Sequence, residues 1–150
     1  MATLIPLVLY FAVLLAGIIA GLLFGTAIEQ QRLSALDAAG WVIARHIIDA
    51  VFGKLLPWVW NSTLLLLFAS AYVTHGSGRA PFVIAGVLLL LGIAVTLIFE
   101  VPINKQIAAW TPTTMPPNWS SLRDRWVRFH WVRTLAGMAA FACALVPLLH

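Results

Sequence analysis

Four stretches of the chain contain no Asp, Glu, Lys or Arg: residues 1–28, 55–78, 80–99 and 134–150. A helix needs about 20 apolar residues to cross the roughly 30 Å hydrocarbon core of a bilayer. The pattern therefore predicts four crossings, at about residues 4–28, 55–73, 81–101 and 127–146. Only 9% of the 150 residues are charged and 62% are hydrophobic, whereas a soluble domain carries about 25% charged residues. A water-solvated globule is excluded, and so is a disordered chain. The formal net charge of +4 does not point to nucleic acid either, because its basic residues flank the apolar stretches. The predicted fold is an all-α integral membrane four-helix bundle, one domain over residues 1–150.

Local signals fill in this outline. Gly17, Gly21 and Gly25 repeat at every fourth position, which gives the first span a face that another helix can approach closely. That neighbour is a helix of the same bundle or, through Gly17, Gly21 and Gly25, a second copy in a homo-oligomer. Residues 29–54 interleave Ile43, Ile47, Ile48, Val51 and Leu55 with Arg45, Asp49 and Lys54. This predicts an interfacial helix before span two, with a possible kink at Pro57. Trp58 and Trp60 fit an interfacial aromatic belt. His75-Gly76-Ser77-Gly78-Arg79-Ala80-Pro81 is a tight polar turn. Pro102 follows Glu100 at the end of span three and should disturb the helix there. Residues 103–110 form a short amphipathic extension, and Thr111–Pro117, with three prolines, is loop. Asn118, Ser120 and Ser121 then offer caps for the last helix.

Orientation follows from eight of the nine basic residues. Arg32, Arg45 and Lys54 lie between spans one and two, and Lys105, Arg123, Arg125, Arg128 and Arg133 between or at spans three and four. Arg79 stands alone on the other face. The positive-inside rule then puts both long connections, one of them a long loop between spans three and four, in the cytoplasm of a bacterial inner-membrane protein, with both termini outside. The partners this implies are the lipid bilayer and a hydrophobic small molecule, and no nucleic acid. The first segment lacks a basic n-region and is too long for a signal-peptide core. Cys143, the single cysteine, reads as a small packing residue.

Ionisable groups at membrane depth are expensive and become functional candidates by default. Glu29, His46, Glu100 and His130 fall on four different helices at the same end of the bundle. Glu29 could equally be an exposed helix-end carboxylate and His46 an interfacial imidazole. Trp126, His130, Arg133 and Gly137 share one helical face by their spacing. Arg133 is the deepest cation and needs a buried partner, with Glu100 or Glu29 as candidates. Arg45 and Asp49, four residues apart, read as a simple helical ion pair. Arg123, Arg125 and Arg128 read as a lipid-facing basic cluster. Trp110, Trp119, Trp126, Phe129 and Trp131 read as a belt, in which Trp126, Phe129 and Trp110 could line a site for a flat aromatic ligand.

The segment Val101-Pro102-Ile103-Asn104-Lys105, followed by Trp126-Val127-Arg128-Phe129-His130-Trp131-Val132-Arg133-Thr134, resembles the anthrone oxygenase-like family of small four-span membrane proteins. Where many members carry Asn-His before Val-Arg-Thr, this chain carries His130-Trp131. The resemblance implies oxidation of an anthrone to an anthraquinone with O₂, with no metal or flavin required, and it carries over Pro102, Asn104, Trp126, Arg133 and Thr134 as motif residues. The leading expectation is a membrane-embedded oxidoreductase acting on a hydrophobic aromatic substrate by proton abstraction. A carboxylate (Glu100 or Glu29) or His130 would take the proton, and Arg133 and Asn104 would stabilise the resulting anion. Two other readings stand beside it. One is a metal- or haem-binding membrane protein, with a transition metal or haem on Glu29, His46, Glu100 and His130. The other is a non-enzymatic packing subunit.

Overall fold

The computed structural model describes residues 4–149. Five α-helices account for most of them: α1 (Leu4–Leu33), α2 (Ala38–Val73), α3 (Arg79–Val95), α4 (Val101–Ala108) and α5 (Trp119–Leu145). A π-turn, Thr96–Glu100, joins α3 to α4, so residues 76–108 run as one interrupted rod. Four helical segments are thus long and apolar enough to cross a membrane, and the described residues contain no strand. The protein is an all-helical integral membrane protein. Each of the four rods packs on two neighbours, in the cyclic order α1, α2, α3, α5.

The boundaries between rods follow local chemistry. Asp37 caps α2, its Oδ1 accepting from the Gly40 N–H at 2.8 Å, which satisfies one of the orphan donors of a helix start. Residues 38–54, anticipated as an interfacial helix running into span two, are the first half of α2, which continues through Pro57 to Val73 without a break. The first connection is therefore a short turn over residues 34–37, much shorter than its charge pattern suggested. Ile43, Ile47, Val51 and Leu55 form an exposed apolar stripe, while Trp41, Val42 and Arg45 of the same helix are buried. A helix with its apolar side outward and its cation inward is matched to surrounding lipid. At the other end, Gly76 takes a positive φ of 67° in the turn between α2 and α3, a backbone conformation natural to glycine.

The π-turn ends two residues before Pro102. Proline has no N–H, and its ring collides with the carbonyl four residues back in a regular α-helix. Here the turn widens instead, and the Val101 N–H bonds to the Thr96 carbonyl, five residues back. Glu100 closes this turn and is fully buried.

Small residues set the close approaches. Ala12, Ala16, Ala20 and Ala27 of α1 are buried, and a Cβ on Gly137 of α5 would come within 2.8 Å of Leu23 Cδ1. A Cβ on Gly86 or Gly92 of α3 would strike Phe68 or Trp60 of α2, respectively. Of the Gly17, Gly21 and Gly25 stripe, Gly17 packs on Phe141, while the other two face open space. The internal seam of α1 is thus its alanine row, one step around the helix from the glycines.

The core has two parts. One, at the end of the bundle holding the α2–α3 turn, contains Ile19, Leu23, Trp60, Leu67, Phe82, Leu89 and Ala140. The other, at the end holding residues 34–37 and 109–118, contains Trp41, Val42, Ile103, Ile107, Trp110 and Trp126. Along α2, α3–α4 and α5 alike, the residues between these clusters include Arg45, Thr96, Glu100, His130 and Arg133.

Candidate active site

The layer between the two clusters is polar, buried and built around two guanidinium groups. Arg133, on α5, forms a buried ion pair with Glu100 of the π-turn through Nη1. The same Nη1 donates to Thr96 Oγ1 at 3.2 Å, and that hydroxyl in turn donates to the Gly92 carbonyl at 2.8 Å. Arg133 Nε donates to His130 Nδ1 at 3.1 Å. An arginine N–H can only donate, so Nδ1 is the unprotonated ring nitrogen. Nε2 carries the proton and donates to the Leu23 carbonyl of α1 at 3.0 Å. His130 is therefore a neutral imidazole with both nitrogens in use, and its 3.8 Å approach to Glu100 is not an ion pair. Thr134, one turn along, donates to the His130 carbonyl at 2.8 Å.

Arg45, on α2, is the second cation. Its Nε lies 3.0 Å from Asp49 Oδ2 and its Nη2 2.8 Å from Asp49 Oδ1, a bidentate pair of the strong kind. Nη2 also donates to Asn104 Oδ1 at 3.2 Å. With its oxygen so occupied, the Asn104 amide is held with Nδ2 as its free end. The Arg45 guanidinium lies 4.0 Å from the centroid of the Trp126 ring, a cation–π distance. That indole is stacked on His130 at 4.8 Å and 10°. Arg133 lies 5.9 Å from the same ring. Trp126 thus ties the two arginine systems together. Two buried cations and two carboxylates balance in charge, as intramembrane charges must.

A cavity of about 380 Å³ opens beside this layer. Its polar wall includes Arg45, Asp49, Asn104, Thr96, Trp126 and Arg133. Its apolar wall includes Phe52, Leu56, Trp60, Ile93, Leu97 and Val101. Among the described residues, Arg45 Nη1, Arg133 Nη2 and Asn104 Nδ2 make no hydrogen bond within the protein. The Trp126 indole N–H is buried and also has no partner. The cavity therefore has unused donors on one side and hydrocarbon on the other. This suits a ligand that is mostly apolar with one or two oxygen atoms.

The sequence candidates divide around this cavity. Arg133, Asn104 and Trp126 line it. Glu100 and His130 sit behind it and hold Arg133. Glu29 is exposed, and His46 Nε2 lies 3.1 Å from the Ile107 carbonyl, so these two do not join Glu100 and His130. Among the described residues no group of three or more His, Cys, Asp or Glu side chains is placed to hold a metal ion. Trp110 packs beside Trp41 and Phe129 stacks on Phe99 at 4.0 Å, both away from the cavity lining. Arg123 pairs with Asp124, in the exposed basic segment. Arg45, Asp49 and Thr96 were not read as site residues from the sequence. The signal was present in α2. Arg45 stands off the Ile43/Ile47/Val51 stripe, so assigning that stripe to lipid turns Arg45 into the bundle.

No curated protein and no solved structure matches the chain at a significant level. The family model described as anthrone oxygenase matches residues 41–143. That match takes in α2 from Trp41 onward, the π-turn and most of α5, and with them Arg45, Asp49, Thr96, Asn104, Trp126 and Arg133 of the cavity wall. The chain belongs to the anthrone oxygenase family.

Proposed function

We propose that the protein is a membrane oxygenase that converts the activated methylene of a planar, hydrophobic aromatic ketone of the anthrone type to a carbonyl, using O₂. The observation that carries this reading is the cavity wall itself, where Arg45, Arg133 and Asn104, each with an N–H that makes no hydrogen bond within the protein, line a space of about 380 Å³ with an apolar opposite wall. Removing a proton from a methylene conjugated with the ketone through the aromatic rings places negative charge on the ketone oxygen. Preorganised donors in a water-poor site stabilise such an anion strongly, each contributing roughly 10²–10³ in rate. An enolate of this kind is electron-rich enough to react with O₂ directly.

The supporting residues divide by what they touch. Arg133, Arg45 and Asn104 bind the oxyanion, and the Trp126 ring supports the Arg45 guanidinium at 4.0 Å. Glu100, His130 and Thr96 position Arg133. Phe52, Leu56, Trp60 and Leu97 receive the ring system. Glu100 and His130, first candidates for the proton acceptor, are better suited to positioning, because neither side chain lines the cavity and both nitrogens of the imidazole are in use.

The test is turnover of an anthrone by the purified chain in lipid nanodiscs, followed as O₂ consumption together with quinone absorbance. The wild type should form one quinone per O₂, and Arg133→Met should be slower by about 10²–10³. Equal rates for the two proteins, or no turnover of any anthrone by the wild type, would contradict the proposal.

A further inference from the structure

The reaction needs a group that accepts the methylene proton, and the cavity lining offers one. Among its described residues there is no His, Glu, Lys, Tyr or Cys; Asp49 is its one carboxylate. We infer that Asp49 is the proton acceptor, an inference that rests on the oxygenase reading above. Asp49 stands one turn beyond Arg45 on α2, and its side chain is 35% exposed while that of Arg45 is 3% exposed. Arg45 takes one lone pair from each carboxylate oxygen, and each oxygen keeps another. Bidentate pairing fixes the carboxylate at the edge of the space the substrate would fill, with its remaining lone pairs unengaged.

The neighbouring groups fit the same sequence of steps. Asp49 takes the proton from the methylene carbon, and the C–H electron pair passes into the ketone to give an enolate whose oxygen lies against the Arg133, Arg45 and Asn104 donors. O₂ accepts one electron from the enolate, and the two radicals combine to form a carbon–oxygen bond and a peroxide anion. Asp49 returns its proton to that peroxide. The hydroperoxide then loses water, taking the second C–H hydrogen, and leaves a carbonyl. One CH₂ group and one O₂ yield one C=O and one H₂O, so no external reductant is required. Asp49 ends the cycle ionised and again paired with Arg45.

Proton abstraction can be read without oxygen. Anthrone is incubated with the full chain in nanodiscs in D₂O under anaerobic conditions, and deuterium at the methylene carbon is followed by mass spectrometry. Binding is followed separately, as quenching of tryptophan fluorescence by anthraquinone. The wild type should catalyse exchange. Asp49→Asn should lose it by about 10²–10⁴-fold while still binding the quinone, and Asp49→Glu should regain part of it. Exchange by Asp49→Asn at the wild-type rate overturns the assignment. So does a folded Asp49→Glu protein with no exchange, which decides the matter if the Asn variant does not fold. Turnover in air without anaerobic exchange also overturns Asp49, with the oxygenase reading intact. A wild type that shows neither exchange nor turnover overturns both.

Discussion

Leu67, Phe82, Leu89 and Ala140 fill one half of the bundle, where Thr63 is turned back onto the Val59 carbonyl of its own helix at 2.7 Å and the buried Ser70 hydroxyl has no partner. A few turns away, Arg45, Glu100, His130 and Arg133 are buried just as deeply, and most of their hydrogen bonds and ion pairs reach across to another helix. Glu100 and Thr96 of the π-turn meet Arg133 of α5, His130 of α5 meets Leu23 of α1, and Arg45 of α2 meets Asn104 of α4. The first half needs only shape, and the glycines at positions 86, 92 and 137 provide it. The second half holds charge at a depth where hydrophobic packing would be cheaper, because replacing buried ion pairs with apolar groups is often neutral or stabilising. Buried charges kept beside a cavity are what the proposed oxyanion site requires.

Four measurements probe that contrast. The largest expected effect comes from Arg133→Met alone, which leaves Glu100 buried and unpaired and should lower stability by about 3–5 kcal/mol. A shift in the thermal unfolding midpoint in detergent or nanodiscs reads it, and turnover should fall by about 10²–10³ with it. In the apolar half, Leu67→Ala should lower stability by about 2–5 kcal/mol through its cavity. Its turnover per folded molecule should be unchanged, and a drop in that rate would blur the division between the halves. Thr96→Val removes the hydroxyl that accepts from Arg133 and should lower stability by about 0.5–1.5 kcal/mol. Because it frees Arg133 to tilt, it should lower kcat more than it raises KM. Smallest of all, Phe129→Leu keeps a hydrophobic group on Phe99, outside the cavity lining, and should leave anthrone turnover unchanged. A large loss there would put the ligand against the aromatic belt instead.

The sequence makes the fold legible at the level of spans because charge-free runs are a one-dimensional signal that the bilayer enforces directly. That Arg133 needs a buried carboxylate is readable for the same reason, since a deep cation must find an anion, and the structure selects Glu100 over Glu29. Two features are not readable in this way. The charges of residues 29–54 look like a surface segment until the outward stripe of Ile43, Ile47 and Val51 is seen in space, and only then does Arg45 fall inside. The role of His130 depends on which of its nitrogens is occupied, and that is set by Leu23 and Arg133, 107 and three residues away. Spacing along one helix places His130 on the polar face correctly but gives no information about its lone pairs. Glu29 and His46 share the right end of the bundle but not its interior, because helix rotation is fixed by packing partners such as the Ala12, Ala16 and Ala20 row.

The central claim is that the buried charge layer serves chemistry and that the bundle does not need it to fold. The double variant Glu100→Leu/Arg133→Met removes both partners at once, so no unpaired charge remains. Its unfolding midpoint and its rate of quinone formation from an anthrone, measured on one nanodisc preparation, test the claim together. The account predicts a midpoint at or above that of the wild type, with quinone formation lost. A double variant that folds and still turns over at the wild-type rate would contradict it.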